Sequence, residues 1–415
     1  MSITLIKNPL SSRFAKNIGW IGVAEIMTRA TRLVTAIVLA RLLTTHEYGV
    51  VAIALTIYEL IRVLTNNGLG AKIIQAKDAD LTVICNTAYR LNWLLNIALM
   101  LFQCLLAFPV AWFYQDTELA WMLITLSGLY LIFPAALVQV YLIQRQQHLQ
   151  ITALIMGGTV SLDNLLTAAL ALMGFGVWAV ILPKLIVAPI WVIFYRRYIN
   201  WQPTWGMGFQ RWREIFHFGK HVLGVEILQT LRLNLDNLII GRFLGLEILG
   251  IYYFARNAGI GMSMSIIKAY STAVLPHLAS AQGNLLDLKE KYLHALKTIS
   301  LIVPVIILLQ SALAPIYVPL IFGERWVEAG AVPILILLCL SAIPRLFAGS
   351  NSQLLRVLDK PNIDFYWSIL FTGLFTLAIF IGLNWSLMGI ASGILLVHLL
   401  AIPVFAYWVY RRYLK

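Results

Sequence analysis

Apolar stretches of roughly 20 residues, the length that crosses a bilayer as a helix, recur along the whole chain. Hydrophobic residues make up 60% of its 415 residues, and charged residues only 12%. A soluble domain carries about 25% charged residues. The sequence therefore predicts an all-α polytopic membrane protein. Twelve membrane-spanning helices are predicted, at 17–42, 48–71, 82–110, 119–143, 150–173, 176–195, 215–241, 247–275, 297–321, 329–349, 363–383 and 386–410.

Lysine and arginine residues concentrate in alternate loops and at both ends of the chain. By the positive-inside rule, both termini are expected in the cytoplasm, which agrees with an even number of spans. The formal net charge of +13 then reflects topology and attraction to anionic membrane lipids. A nucleic-acid partner is not needed to explain it.

A short motif recurs in the second half of the chain. Arg41 precedes Gly49 by eight residues, and Arg242 precedes Gly250 by the same interval, 201 residues further on. Glu226 follows Glu25 by that same offset. These coincidences suggest a duplicated six-helix unit, in which both copies run the same way across the membrane. The alternative is chance similarity between apolar helices. Duplication predicts three regions: an N-terminal bundle at 1–200, a cytoplasmic linker at 201–214 and a C-terminal bundle at 215–415.

Charged side chains lie inside the predicted spans, where each costs several kcal/mol unless it faces a bundle interior or a watery cavity. Bases outnumber acids there, which predicts a central cationic cavity between the two bundles. Guanidinium groups bind phosphate bidentately, so an anionic substrate is expected. The candidate substrate-binding residues are Arg29, Arg32, Arg62, Arg232, Arg256 and Lys268. Neutralised i, i+4 ion pairs within single helices, Glu25 with Arg29 and Arg232 with Asp236, are the alternative.

Carboxylates at membrane depth suggest a second role. In a low-dielectric site a carboxyl group can bind and release a proton, so these residues are candidates for coupling to a proton or sodium gradient. They are Glu25, Glu59, Asp163, Glu226 and Asp236.

Several catalytic motifs are missing from the sequence. It contains no GxxxxGK[ST] phosphate loop, HExxH, CxxC or GxSxG. The three cysteines lie in apolar spans, which argues against a disulfide framework. We therefore expect no enzyme activity, no metal and no cofactor.

Three segments resemble a known family: the N-terminal run FAKNIGWIGVAEIMTRATRLVTAIVLARLLTTHEYGVVAIA, NNGLGAKIIQ at 66–75 and LDNLIIGRFLGLEILGIYYFA at 235–255. They are similar to Wzx-type flippases of the multidrug/oligosaccharidyl-lipid/polysaccharide exporter superfamily. The resemblance implies movement of undecaprenyl-pyrophosphate-linked oligosaccharide across the bacterial inner membrane by alternating access. The glycan would serve O-antigen, capsule or exopolysaccharide synthesis, with polymerase and chain-length proteins as further partners.

Two other functions stay open at this point. A drug or metabolite antiporter of the same superfamily would favour an acidic cavity. A membrane polymerase or ligase would need a sizeable outer loop, whereas the predicted outer loops are only a few residues long.

Overall fold

The computed structural model describes residues 13–66, 68–204, 212–281 and 283–414. The regular secondary structure of this part of the chain is all helical, and these residues contain no strand. The helices of the first half, in chain order, are α1 (Arg13–Leu42), α2 (Thr45–Arg62), α3 (Leu69–Gln75), α4 (Asp78–Tyr114), α5 (Glu118–Ser127), α6 (Leu129–Ile132), α7 (Leu137–Arg145), α8 (Leu149–Leu172) and α9 (Trp178–Tyr198).

The second half continues in the same way. Its helices are α10 (Trp212–Phe243), α11 (Leu246–Ala279), α12 (Leu285–Tyr317), α13 (Arg325–Glu328), α14 (Ala331–Val357), α15 (Pro361–Gly382) and α16 (Ser386–Tyr413).

Eight stretches of described helix are long and apolar enough to cross a membrane. The last of them, Pro361–Tyr413, contains both α15 and α16. Helix α1 is 30 residues long and is not among these eight stretches. Three of its charged residues, Glu25, Arg29 and Arg32, make it too polar. The prediction of an all-helical, multi-pass membrane protein is confirmed.

The second predicted span, 48–71, is broken in the structure. Helix α2 ends at Arg62 and passes into a short 3-10 turn, Val63–Thr65, before α3 begins at Leu69. Gly68 has φ +73°, a left-handed conformation that glycine adopts without strain. Non-helical backbone at membrane depth is tolerated where it is buried in protein or lines a cavity.

The fourth predicted span, 119–143, is also interrupted. A 3-10 segment, Phe133–Ala136, separates α6 from α7. Pro134 lies in this segment, and proline cannot donate the backbone hydrogen bond that would continue an α-helix.

The chain folds into two compact units. Unit 1 comprises Met1–Leu43 and Ile53–Leu231, and unit 2 comprises Thr44–Ala52 and Arg232–Lys415. In unit 1, α1 packs against α8, which packs against α9. In unit 2, α14 packs against α11, α12 and α16, and α15 packs against α16.

The short segment Thr44–Ala52 packs tightly within unit 2. A Cβ atom at Gly49 would overlap the carbonyl oxygen of Leu246, and one at Gly250 would overlap the carbonyl oxygen of Thr45. The two glycines of the repeated motif therefore meet in a reciprocal backbone contact. Only hydrogen as a side chain permits so close an approach.

Aromatic rings extend the same contact. The Phe254 and Trp326 rings stack with their centroids 3.9 Å apart, and the Tyr48 ring meets Trp326 edge-on at 5.1 Å. Trp326, in the short helix α13, is fully buried. Burial of large aromatic surfaces fixes the start of α2 in unit 2.

Candidate substrate-binding sites

The charged face of α1 contains one ion pair. Arg29 Nε donates a hydrogen bond of 2.9 Å to Glu25 Oε1. The i, i+4 ion pair that the sequence offered as an alternative to substrate binding is therefore formed. Both side chains are about half exposed within unit 1, at 49% and 57%. An exposed pair contributes about 0–1 kcal/mol, so it leaves Arg29 able to exchange partners. Arg32 is also exposed and lies one turn further along.

Unit 1 contains an open cavity of about 560 Å³ between α2, α4, α8, α9 and the interrupted fourth span. We call it the unit 1 cavity. Both helix breaks line it, through Thr65 and Asn66 on one side and Phe133 and Pro134 on the other. Its volume lies within the range of about 300–1,000 Å³ that is usual for small-molecule sites. Discontinuous helices also form the substrate sites of many transporters.

Charged residues from three helices line the unit 1 cavity. Lys184 Nζ donates to Asp163 Oδ2 at 3.0 Å, and both side chains are largely buried. Glu59 and Arg62 lie on α2, with the Arg62 guanidinium 5.8 Å from the centre of the Tyr58 ring. The structure thus brings together three residues predicted separately, Glu59, Arg62 and Asp163. It adds Lys184, a basic residue of a predicted span that was not among the candidate ligands.

Two buried amides of α4 also line this cavity, and the sequence reasoning missed them. Asn92 and Asn96 are 2% and 4% exposed. Asn96 Nδ2 donates to the backbone oxygen of Asn92 at 2.8 Å and to its Oδ1 at 3.0 Å. The signal was present, because two amides one turn apart in an otherwise apolar span need polar partners.

In unit 2, Asp236 of α10 is the centre of a hydrogen-bonded group. Arg256 Nη1 lies 2.9 Å from each carboxylate oxygen, and the Tyr252 hydroxyl donates to Oδ2 at 2.6 Å. Arg256 Nη2 also donates to the backbone oxygen of Leu233 at 2.6 Å. The i, i+4 pairing of Asp236 with Arg232, the sequence-based alternative, is therefore wrong: the carboxylate faces the neighbouring helix α11.

Further guanidinium groups surround this pair. Arg345 of α14 interacts electrostatically with Asp236, Arg256 and Arg232. Arg232 in turn interacts with Asp364, whose Oδ2 accepts a hydrogen bond of 2.6 Å from Ser352. We call these charged residues the Asp236 cluster: Arg232, Asp236, Arg256, Arg345 and Asp364. The cluster contains three arginines and two carboxylates, so its formal net charge is positive.

Two candidates remain. Glu226 lies beside Asn66 and Gly68 in a smaller recess of about 180 Å³ within unit 1. The side chain of Lys268 is outside the part of the chain that the structure describes. Among the described side chains, no group of three or more His, Cys, Asp or Glu residues could hold a metal ion.

Comparisons with known proteins agree with the resemblance seen in the sequence. The chain is 25% identical over 354 residues to the teichuronic acid biosynthesis protein TuaB of Bacillus subtilis (strain 168), covering 84% of this chain and 72% of that protein. It is 25% identical over 391 residues to the lipopolysaccharide biosynthesis protein WzxC of Escherichia coli (strain K12), covering 92% and 77%.

The fold is also that of a solved transporter. The lipid II flippase MurJ, in an inward closed conformation, matches with a TM-score of 0.78 over 94% of this chain and 87% of that one, at 12% identity. A family model, described as "Polysaccharide biosynthesis protein", matches residues 38–331. The chain therefore belongs to this family of polysaccharide biosynthesis membrane proteins.

Proposed function

We propose that this protein is a flippase that carries undecaprenyl-pyrophosphate-linked glycan units across the bacterial inner membrane. The observation that carries the proposal is the net positive formal charge of the Asp236 cluster. This cluster occurs in a chain of a polysaccharide biosynthesis family. The named relatives serve teichuronic acid and lipopolysaccharide synthesis, and one solved structure of the same fold is a lipid II flippase. We propose no enzymatic step.

The cations would bind the pyrophosphate of the substrate. Arg256 is already held by Asp236 and by a backbone oxygen, so its first role is to neutralise that carboxylate. Arg232 then supplies positive charge that can attract a phosphate. Planar guanidinium groups suit this task because they bind phosphate through two parallel hydrogen bonds. On α1 and α2, Arg29, Arg32 and Arg62 stay proposed ligands of the same substrate.

Transport would proceed by alternating access, with twelve spans in two parallel six-helix repeats and both termini in the cytoplasm. The reciprocal contact of Gly49 and Gly250, which share one motif position, supports a duplicated architecture. A cavity shared by the two repeats stays a prediction from the sequence. The partners of the pathway would be a polymerase and chain-length proteins.

Energy would come from a proton or sodium gradient. Asp163 is the best-supported coupling residue, because its Oδ2 binds Lys184 while its buried Oδ1 has no hydrogen-bond partner among the described residues. Protonation of this carboxylate would break the ion pair and release Lys184. Glu25, Glu59, Glu226 and Asp236 stay proposed alternatives.

Complementation of a flippase-deficient strain tests the proposal. Arg232→Ala should abolish complementation at a normal protein level, because it removes a cation that attracts the phosphate. Arg412→Ala, at an exposed position in the last turn of α16, is the matched control. Full complementation by Arg232→Ala would refute the assignment of the phosphate to the Asp236 cluster. Failure of the unchanged protein to move a lipid-linked oligosaccharide in proteoliposomes would refute the function.

A further inference from the structure

The formal charges that line the unit 1 cavity cancel. Two acids, Glu59 and Asp163, face two bases, Arg62 and Lys184. A pyrophosphate placed there would meet as much repulsion as attraction, and the best-placed base is already bound to Asp163 at 3.0 Å. The cavity is therefore poorly suited to the phosphate end of the substrate.

We infer that the unit 1 cavity binds the sugar end of the lipid-linked substrate, as a subsite for neutral, hydroxyl-rich pyranose rings. This inference rests on the proposed flippase function. It assigns the sugar hydroxyls of that substrate to the unit 1 cavity.

Hydrogen-bonding groups suited to hydroxyls are left over in the cavity wall. The Asn92 side chain accepts from Asn96 through Oδ1, so its own NH₂ group can still donate to a ligand. Asn96 likewise uses only its NH₂ group, which leaves its Oδ1 as an acceptor. Asp163 Oδ1 is a second acceptor without a partner in the described structure. A sugar hydroxyl both donates and accepts, so it can satisfy groups of either kind.

Aromatic rings supply the apolar part of the wall. Tyr58 and Tyr130 lie with their ring centroids 5.7 Å apart, and Phe133 meets Trp191 edge-on at 5.2 Å. All four line the cavity. A pyranose ring presents C–H groups on its faces and hydroxyls around its edge, so it matches a wall that combines aromatic faces with fixed amides. Such a mixture of apolar surface and a few placed polar groups is typical of ligand sites.

The test compares two lipids that differ only in the sugar. The probes are lipid-linked oligosaccharide extracted from the source cells, and the same lipid after enzymatic removal of its glycan. Binding of each to purified full-length protein in nanodiscs is measured as a Kd. The unchanged protein should prefer the glycan-bearing lipid by about tenfold or more, the factor that 1.4 kcal/mol of added binding free energy supplies.

Two variants remove that preference by different means. Asn92→Leu deletes the amide, and Met156→Trp fills the cavity from α8 without touching a hydrogen bond. Each should lower affinity for the glycan-bearing lipid to the level of the stripped lipid. Leu154→Trp is the matched control, because Leu154 is exposed on α8 and does not line the cavity. Gel filtration shows that each variant is folded.

The outcomes separate the inference from the function on which it rests. Met156→Trp with an unchanged preference for glycan would overturn the sugar subsite, as would an Asn92→Leu variant that weakens both lipids equally. Arg232→Ala should weaken both lipids equally, because both retain the pyrophosphate. Absence of binding of either lipid by the unchanged protein would refute the flippase proposal itself.

Discussion

Removal of the Arg256 side chain should destabilise the protein strongly. Asp236 is buried, with 6% of its side chain exposed, and Arg256 Nη1 lies 2.9 Å from both carboxylate oxygens. Loss of one partner of a buried ion pair costs about 3–5 kcal/mol, and Asp236 would keep the hydrogen bond from Tyr252 but lose both contacts with Arg256. The backbone oxygen of Leu233 also loses its donor. Arg256→Ala should therefore lower the folded-to-unfolded ratio by about two to four orders of magnitude.

The cause can be separated from a simple loss of packing. Asp236→Asn combined with Arg256→Gln removes both charges and keeps polar groups of similar size, so the double variant should recover most of the lost stability. It should still transport poorly, since the Asp236 cluster has been changed. Arg412→Ala, an exposed substitution, should leave stability unchanged.

The measurement is the fraction of detergent-extracted protein that stays monodisperse in gel filtration after heating through a temperature series. Arg256→Ala should lose its monodisperse peak well below the temperature at which Arg412→Ala does. Equal heat resistance of these two variants would refute the reasoning. So would a double variant no more stable than Arg256→Ala, because the cost would then not come from an unpaired carboxylate.

Three further substitutions test other contacts. Gly49→Leu should prevent accumulation of folded protein in the membrane, because any Cβ there overlaps the carbonyl oxygen of Leu246. Gly22→Leu is the control, since Gly22 has open space around it and its replacement should leave the protein level unchanged. Equal protein levels for the two variants would contradict the close contact at Gly49. Arg145→Met should lower the melting temperature measurably, because the guanidinium donates to three backbone oxygens near the end of α3 and to Asp78, each hydrogen bond contributing about 1 kcal/mol. Arg145→Lys, which keeps the charge but lacks the planar fork, should recover only part of that loss, and full recovery would show that charge alone matters.

Much of the fold was predictable from apolar length and charge alone. Most of the expected spans lie in long helices of the described chain, because about 20 apolar residues have no stable alternative to a helix in lipid, whereas 48–71 and 119–143 are interrupted. The two helix breaks were missed, although their signals are visible. Asn66 and Gly68 form part of a turn-type sequence, and Pro134 cannot continue an α-helix.

Charge pairing was less predictable than charge position. Glu25 and Arg29 pair as neighbours on one helix, whereas Asp236 bonds to Arg256 rather than to Arg232. Glu25 with Arg29 and Arg232 with Asp236 have the same i, i+4 spacing, so the sequence alone does not distinguish them. The difference is burial: the carboxylate of Asp236 faces α11, and tertiary packing decides which guanidinium reaches it.

The amides of the unit 1 cavity were overlooked for a different reason. Asn92 and Asn96 carry no charge, so a search for ionised groups at membrane depth passes over them. Their burial and their hydrogen bond to each other become visible only when the helices are packed.

The distribution of paired and surplus charge accounts for how such a protein could both bind and release its substrate. Ionised groups at membrane depth are costly, and the pairs Asp163–Lys184 and Asp236–Arg256 reduce that cost before any substrate arrives. In the proposed mechanism, only the remaining positive charge of the Asp236 cluster acts on a phosphate, so attraction is moderate and release remains feasible. Sugar hydroxyls bound through amides add specificity without adding charge. A set of arginines with no acidic partners would bind pyrophosphate more tightly, but tighter binding would slow the release of the substrate and so limit transport.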